Sequence, residues 1–335
     1  MDSRSVNVSP PRPPAGASRG VLEAALAAMQ QGTAAALAVV METEGSTYVR
    51  PGAMALFGSD GAQAGWLSGG CLEPEITARA DAVARAAQIA WLDVDTRDDE
   101  DLLAGTALGC RGRLRIVLLP LAPLAGWEAF IAAWRNGEGS LRVAVDAEGS
   151  VESAIGGASR RWTLASATSV AGMRAGQVEI APPPAVLVLG AGPETPLLLP
   201  LLRSLGWMTT LAERRPRWRP LAAAADIALE QMPESALRSL QQRSFDAALV
   251  MHHNFELDRE ALAALAASEI GFIGLLGPVR RREDLFRVLS ADERAALQPR
   301  LHSPIGLKLG GQGPEAIALS IAAQLQTLQA ERGTS

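Results

Sequence analysis

The chain has 335 residues, 48% of them hydrophobic, with a formal net charge of −5. These figures exclude a disordered or fibrous protein, leave room for two domains with real cores, and argue against a general nucleic-acid binder. Two cysteines in so long a chain make no disulfide framework, which fits a reducing cytoplasm. No basic segment leads into an early apolar run, so no signal peptide is expected. The apolar stretches meet charges or prolines before spanning length, so no transmembrane helix is expected either. Three histidines and two cysteines, none at finger or metalloprotease spacing, do not suggest a closed zinc site.

Residues 1–20 include "SPPRPPAGASR", too poor in apolar surface to fold alone, and read as a disordered tail. A first domain is expected over 21–181. "VLEAALAAMQQG" puts Val21, Leu22, Leu26 and Met29 on one helical face, with Gly32 as a stop. "AAALAVVME" reads as a buried strand, and "AMALFGSDGAQAGWL" as a hairpin turning at Asp60-Gly61. "PEITARADAVARAAQIA" spaces Ile76, Ala80, Val83 and Ala87 as a helix, with Pro74 in its first turn. "AWLDVDT" and "RLRIVLLPL" read as strands flanking the acidic, then glycine-rich, "RDDEDLLAGTALGCRG". "WEAFIAAWRNG" reads as a helix, followed by a hairpin around Glu148-Gly149.

Pro182–Pro184 form a linker. Over 185–330 the pattern becomes β-α-β. The strands "AVLVLG", "WMTTLAE", "DAALVMHH" and "IGFIGLLG" are each followed by turn or helical sequence, which predicts a parallel sheet covered by helices. A last helix starts at "GPEAIALSIAAQL", striped by Ile317, Ile321, Leu325 and Leu328. No internal repeat is present. The fold class is α/β: an N-terminal α/β domain followed by a Rossmann-like domain.

Four constellations bear chemistry. Gly190-Ala191-Gly192 joins a strand to a helix, where glycines let backbone approach a phosphate at the helix N-terminus. Glu213 ends the next strand at about the separation of a ribose-binding acid. Thr195 stands where G-x-G-x-x-G has its third glycine, and Pro193, Pro196 and Pro200 crowd the helix. The turn therefore belongs either to a nucleotide site or to a Rossmann scaffold that has lost or changed its ligand. His252 and His253 end a strand at the rim where α/β sheets bind ligands; the alternative is one solvent-facing and one core histidine. Arg280, Arg281 and Arg282 follow the next strand, suited to phosphate or to pairing with Glu283 and Asp284. Cys71, after Gly69 and Gly70, and Cys110 in "LGCRG" each follow a glycine. A helix starting near Pro74 favours thiolate at Cys71, Glu73 and Glu75 oppose it, and a small buried hydrophobe is the plain alternative. The acidic run Asp98, Asp99, Glu100, Asp101 fits a solvated loop better than a metal site.

Taken together, "EGSTYVRPGAMALF", "SGGCLEPEI", "DTRDDEDLLAGTALGCRGRL", "VLVLGAGPETPLL", "VMHHNFELDREAL", "FIGLLGPVRRRE" and "SPIGLKLGGQGPEAIALSIAAQL" resemble the xanthine dehydrogenase accessory protein family, XdhC/CoxI, over about residues 21–327. The resemblance implies a chaperone for the molybdenum cofactor. Such a protein binds molybdopterin, protects it while a cysteine desulfurase supplies the sulfido ligand, and delivers it to a xanthine dehydrogenase-like molybdenum hydroxylase. It also implies a homodimer. Carried onto this chain, Cys71 and Cys110 are the thiols, Cys71 the candidate molybdenum contact, and Gly190 and Gly192 the nucleotide-type turn. Pro193 and Thr195 depart from the family's G-A-G-H-x-G, Arg111 from its G-C-G-G, and "GPVRRRE" from its G-S-x-x-K-type segment.

The expectation is a cytoplasmic accessory protein that binds neither nucleic acid nor membrane. Its cofactor-binding residues are Cys71, Cys110, Gly69, Gly70, Gly190, Gly192, Glu213, His252, His253, Arg280 and Arg281. No nucleophile–base–orienter set of the hydrolase kind is visible, which fits a carrier better than a turnover enzyme. Two alternatives stand beside it: an NAD(P)-dependent oxidoreductase, favoured by Glu213 and opposed by the missing third glycine, and a docking protein that holds no cofactor.

Overall fold

The computed structural model describes residues 17–95, 112–146, 148–166, 175–240 and 243–333. Cys110, the acidic run 98–101 and residues 1–16 of the expected tail lie outside them. The chain divides into two compact units, Gly16–Pro183 and a second from Pro184 onward.

The first unit opens with α1 (Ala17–Gln31) and β1 (Ala35–Gly45). β2 (Met54–Gly58) and β3 (Gln63–Ala64) form the hairpin around Asp60-Gly61, and α2 (Glu73–Ala86), β4 (Ala90–Asp95) and β5 (Gly112–Pro120) follow. Ala87, expected on the apolar stripe of α2, is instead its exposed left-handed cap at φ 53°. The strands make one antiparallel sheet in the order β3-β2-β1-β5-β4. β1 begins as an unbroken apolar run because both its faces are covered. Ala36, Ala38 and Val40 share a cluster with Ile76, Ala80 and Val83 of α2. Leu37, Val39 and Met41 share another with Val21 and Leu22 of α1.

That second cluster continues into α3 (Trp127–Arg135) and a further antiparallel sheet, β8-β7-β6-β9. Its strands are β6 (Leu141–Val145), β7 (Ser150–Ile155), β8 (Ala158–Thr163) and β9 (Gly176–Ile180). β8 and β9 carry little sequence signal, since Trp162 is the one buried residue of β8. The N-terminal α/β unit is thus built on antiparallel sheets.

The second unit is a doubly wound parallel sheet. It contains β10 (Ala185–Leu189), α4 (Thr195–Ser204), β11 (Met208–Ala212), a 3-10 helix over Arg219–Ala224, β12 (Ile227–Leu229), α5 (Pro233–Ser239) and β13 (Ala247–Val250). It continues with α6 (Phe255–Ala266), β14 (Ile273–Leu275), α7 (Val279–Val288), α8 (Ala291–Leu297), β15 (Leu301–His302) and α9 (Gly313–Gly333). The order β12-β11-β10-β13-β14-β15 is that of a Rossmann fold. Val186 and Val188 pack with Leu198 and Leu202 of α4 and Ile321 and Leu325 of α9. Leu187 and Leu189 pack with Ala236 of α5 and Leu262 and Leu265 of α6. The chain winds one way from β10 and the other way from β13. The crevice at their carboxyl ends is the switch point at which such sheets hold ligands.

Candidate functional site

In the first unit, "WLSGGCLEPEI" is a loop pinned from inside. Leu67 and Leu72 are buried at its two ends. Glu73, in the first turn of α2, turns its carboxylate back into the loop. It accepts the N–H groups of Leu67 at 3.2 Å and Ser68 at 2.9 Å, and the Ser68 hydroxyl. The Ser68 oxygen in turn accepts from the N–H groups of Gly70 and Leu72, each at 3.1 Å. Burial works against the charged carboxylate, yet the bonds from Ser68 and the loop amides outweigh it and hold Glu73 below its ordinary range. Glu75 points the other way and pairs with Arg79 at 2.9 Å.

Between the anchors, Gly69, Gly70 and Cys71 are exposed. Gly70 has φ 105°, a conformation that glycine alone takes readily. A Cβ on Gly69 or Gly70 meets no atom within 4 Å, so the approach to the thiol is open. Trp66, beside the loop, is 59% exposed, and Tyr48, in "GSTYVRPG", is 60% exposed. Val49 of that second motif packs on the cluster that holds Leu67, Leu72 and Leu114. Gly112, where β5 begins, lies against Ser46 and Thr47; a Cβ there falls 2.4 Å from the Ser46 carbonyl oxygen. Both motif loops therefore sit over one face of the five-stranded sheet.

Glu73→Ala is expected to cost about 2–3 kcal/mol, because buried loop amides and the Ser68 hydroxyl lose their acceptor. Urea denaturation measures it. A loss below about 0.5 kcal/mol, the range of an ordinary surface change, shows that the carboxylate does not hold the loop.

In the second unit, the turn after β10 is closed by its own protein. The Ala191 N–H donates to Glu213 Oε2 at 2.8 Å and the Gly192 N–H to Thr195 Oγ1 at 2.9 Å, while the Thr195 N–H returns to the Gly192 carbonyl. Pro193 and Pro196 have no N–H to offer. Glu213 is buried, and its other oxygen accepts from the N–H and Nε of Arg215 at 2.8 and 2.9 Å. Arg215 also donates to the carbonyls of Ala191 and His252, each at 2.7 Å. The amides of Ala191, Gly192 and Thr195, placed where a Rossmann fold meets a pyrophosphate, are here used internally.

The histidine pair is split by its surroundings. His252 is buried, its Nδ1 3.1 Å from Asp258 Oδ1, and Arg281 clamps the other Asp258 oxygen, with Nε at 3.1 Å. Gly190, at φ 87°, admits this ring, since a Cβ there lands 2.4 Å from His252 Cγ. His253 has a φ of 53°, uncommon for any residue but glycine, and its Nε2 lies 3.1 Å from Oε1 of buried Glu194. Gly192 is required beneath it, because a Cβ would come within 2.8 Å of the His253 ring. The Glu194 hydrogen bond, opposed by partial burial, raises the pKa of His253; the Asp258 charge adds to the rise and Arg281 subtracts.

Of the residues singled out in this unit, Gly190, Gly192, Glu213, His252, His253 and Arg281 converge on the switch point. Arg280 does not: its side chain is 90% exposed and, among the described residues, reaches only Asp284, at 3.9 Å. Gly69, Gly70 and Cys71 lie together in the other unit. Glu194, Arg215, Asp258 and Ser68, which complete these networks, were not visible from residue type. Only strand-end and helix-start positions place them within reach. Among the described residues no cluster of three or more His, Cys, Asp or Glu is arranged to hold a metal ion, and no helix is long and apolar enough to cross a membrane.

Residues 186–325 match the XdhC Rossmann domain, and residues 28–95 match the XdhC and CoxI family; between them the matches cover more than half of the chain. A probable xanthine dehydrogenase subunit of Bacillus subtilis (strain 168) is 27% identical over 311 residues, 87% of this chain and 92% of its own. The "uncharacterized protein YqeB" of Escherichia coli (strain K12) is 34% identical over 123 residues, 31% of this chain and 22% of its own length. A crystal structure of a xanthine dehydrogenase from Bacillus halodurans is similar with a TM-score of 0.76 at 27% identity, covering 93% of this chain and 96% of that one. The chain belongs to the XdhC and CoxI family.

Proposed function

We propose that the chain is an accessory factor of a xanthine dehydrogenase-type molybdenum hydroxylase, and that it holds the molybdopterin form of the molybdenum cofactor through the Cys71 loop. The observation that carries this reading is the exposed Cys71 thiol on a loop otherwise fixed by Ser68 and Glu73. The residues fit the group. Sulfur is the soft protein donor that suits molybdenum. The open space over Gly69 and Gly70 admits a bulky ligand to the thiol, and Trp66 and Tyr48 offer exposed aromatic faces. When bound, the cofactor brings a molybdenum centre on a phosphorylated dithiolene. The protein's part is to hold it, shield it and release it. Cys110 is the second thiol of this reading. A cysteine desulfurase and the hydroxylase are its partners, a homodimer its assembly and the cytoplasm its place. The Bacillus subtilis relative, named for xanthine dehydrogenase, supports the link to that enzyme.

The turn after β10 speaks against nicotinamide chemistry, since Glu213 is engaged with Ala191 and Arg215 where a ribose would need it. Anaerobic purification after incubation with molybdopterin tests the reading. Molybdenum is measured by mass spectrometry and pterin by fluorescence after oxidation, with nicotinamide dinucleotide titrated in parallel. Near-stoichiometric pterin and no dinucleotide binding are expected. Dinucleotide turnover overturns the reading in favour of an oxidoreductase. Hydroxylase binding without pterin overturns it in favour of a docking protein.

A further inference from the structure

We propose that His253 is the ligand-binding group of the C-terminal crevice, anchored through Nε2 to Glu194 and taking an oxygen of a phosphate monoester on Nδ1–H. Three of the usual phosphate donors of this fold, the amides of Ala191, Gly192 and Thr195, are engaged, and two further positions are prolines. The His253 imidazole also remains open at the crevice. The His253 side chain is 47% exposed, and its Nδ1 has no hydrogen-bond partner among the described residues. The carboxylate behind the ring fixes its orientation, much as carboxylates fix ligand histidines elsewhere.

The charges around it are otherwise matched. Glu213 is paired with Arg215 from the loop after β11, and Asp258 of α6 with Arg281 of α7. Glu194, at the start of α4, is left with His253. Neutral His253 thus leaves one unmatched negative charge at the crevice, and protonated His253 removes it. An anion is accepted only in the protonated state. Because Glu194 raises the His253 pKa, that state persists to higher pH than for a free histidine. The inference rests on the cofactor-holding reading only for the identity of the phosphate-bearing molecule.

Histidine-selective labelling of the full chain tests it by NMR, with three histidine signals to assign. Sulfate, which keeps two charges across the pH range, is the probe, and acetate is the carboxylate control. Sulfate is expected to shift the His253 signal, with affinity falling about tenfold per pH unit above the His253 midpoint. Glu194→Gln is expected to lower that midpoint. His253→Asn, chosen because asparagine tolerates positive φ, is expected to keep the fold by circular dichroism and lose sulfate binding. An unshifted His253 signal, pH-independent binding, binding that survives His253→Asn, a midpoint unmoved by Glu194→Gln, or a response to acetate alone overturns the proposal. None of these measurements uses molybdopterin, so their failure is separate from failure of the cofactor reading.

Discussion

Glu213→Ala is expected to destabilise the C-terminal unit by about 3 kcal/mol, the low end of the cost of breaking a buried ion pair. The low end applies because Arg215 is 24% exposed and keeps its bonds to the carbonyls of Ala191 and His252. The buried Ala191 N–H loses its acceptor, and the turn between β10 and α4 loses its closure. Glu213→Gln is expected to cost less, about 1–2 kcal/mol, because an amide oxygen still accepts from Ala191. The two variants also differ from the parent in acid. Burial opposes the Glu213 charge, but the Arg215 guanidinium and the amides of Arg215 and Ala191 outweigh it, so the folded carboxyl titrates below its unfolded value. Its stabilisation is complete above an unfolded pKa of about 4.3 and is lost as pH falls through the folded value. Urea denaturation at neutral pH and in acid should therefore show the variants converging on the parent as pH drops. Equal urea midpoints at neutral pH would remove Glu213 as the closure of this turn.

The same residue shows where sequence stops being informative. A glutamate ending the second strand of a Rossmann unit has one appearance whether it binds a ribose or closes the turn beside it; only the 2.8 Å contact to Ala191 separates the two. Glu73 is similar. Next to Cys71 it looks like a charge opposing a thiolate, yet its carboxylate is turned into the loop and Glu75 alone faces out. The histidine pair left two readings open, and the split depends on Asp258 and Glu194, which are six and 59 positions away. Strands covered on both faces, such as β1 and β10, were legible because burial demands unbroken apolar runs. The edge strand β15, two residues long, and β8, with its single buried tryptophan, were not, because so little of either is buried. Elements that carry the core announce themselves in composition, whereas inward-turned carboxylates do so only through distances.

Cys71→Ser is expected to reduce co-purifying molybdenum and pterin by at least about tenfold, the smallest effect typical of disturbing a metal site. Serine replaces a soft sulfur by a hydroxyl that stays protonated at neutral pH and suits molybdenum poorly. The fold should be untouched, within about 0.5 kcal/mol, because the side chain is exposed and none of the bonds that pin the loop uses it. Ser68→Ala supplies the contrast. It frees the Gly70 and Leu72 amides, so stability and retention should fall together, whereas Cys71→Ser should lower retention alone. That difference distinguishes a thiol that contacts the cofactor from a loop whose shape merely admits it. Undiminished pterin in Cys71→Ser, with Ser68→Ala impaired, would assign retention to the loop backbone and its aromatic neighbours Trp66 and Tyr48, and would remove the thiol from the site.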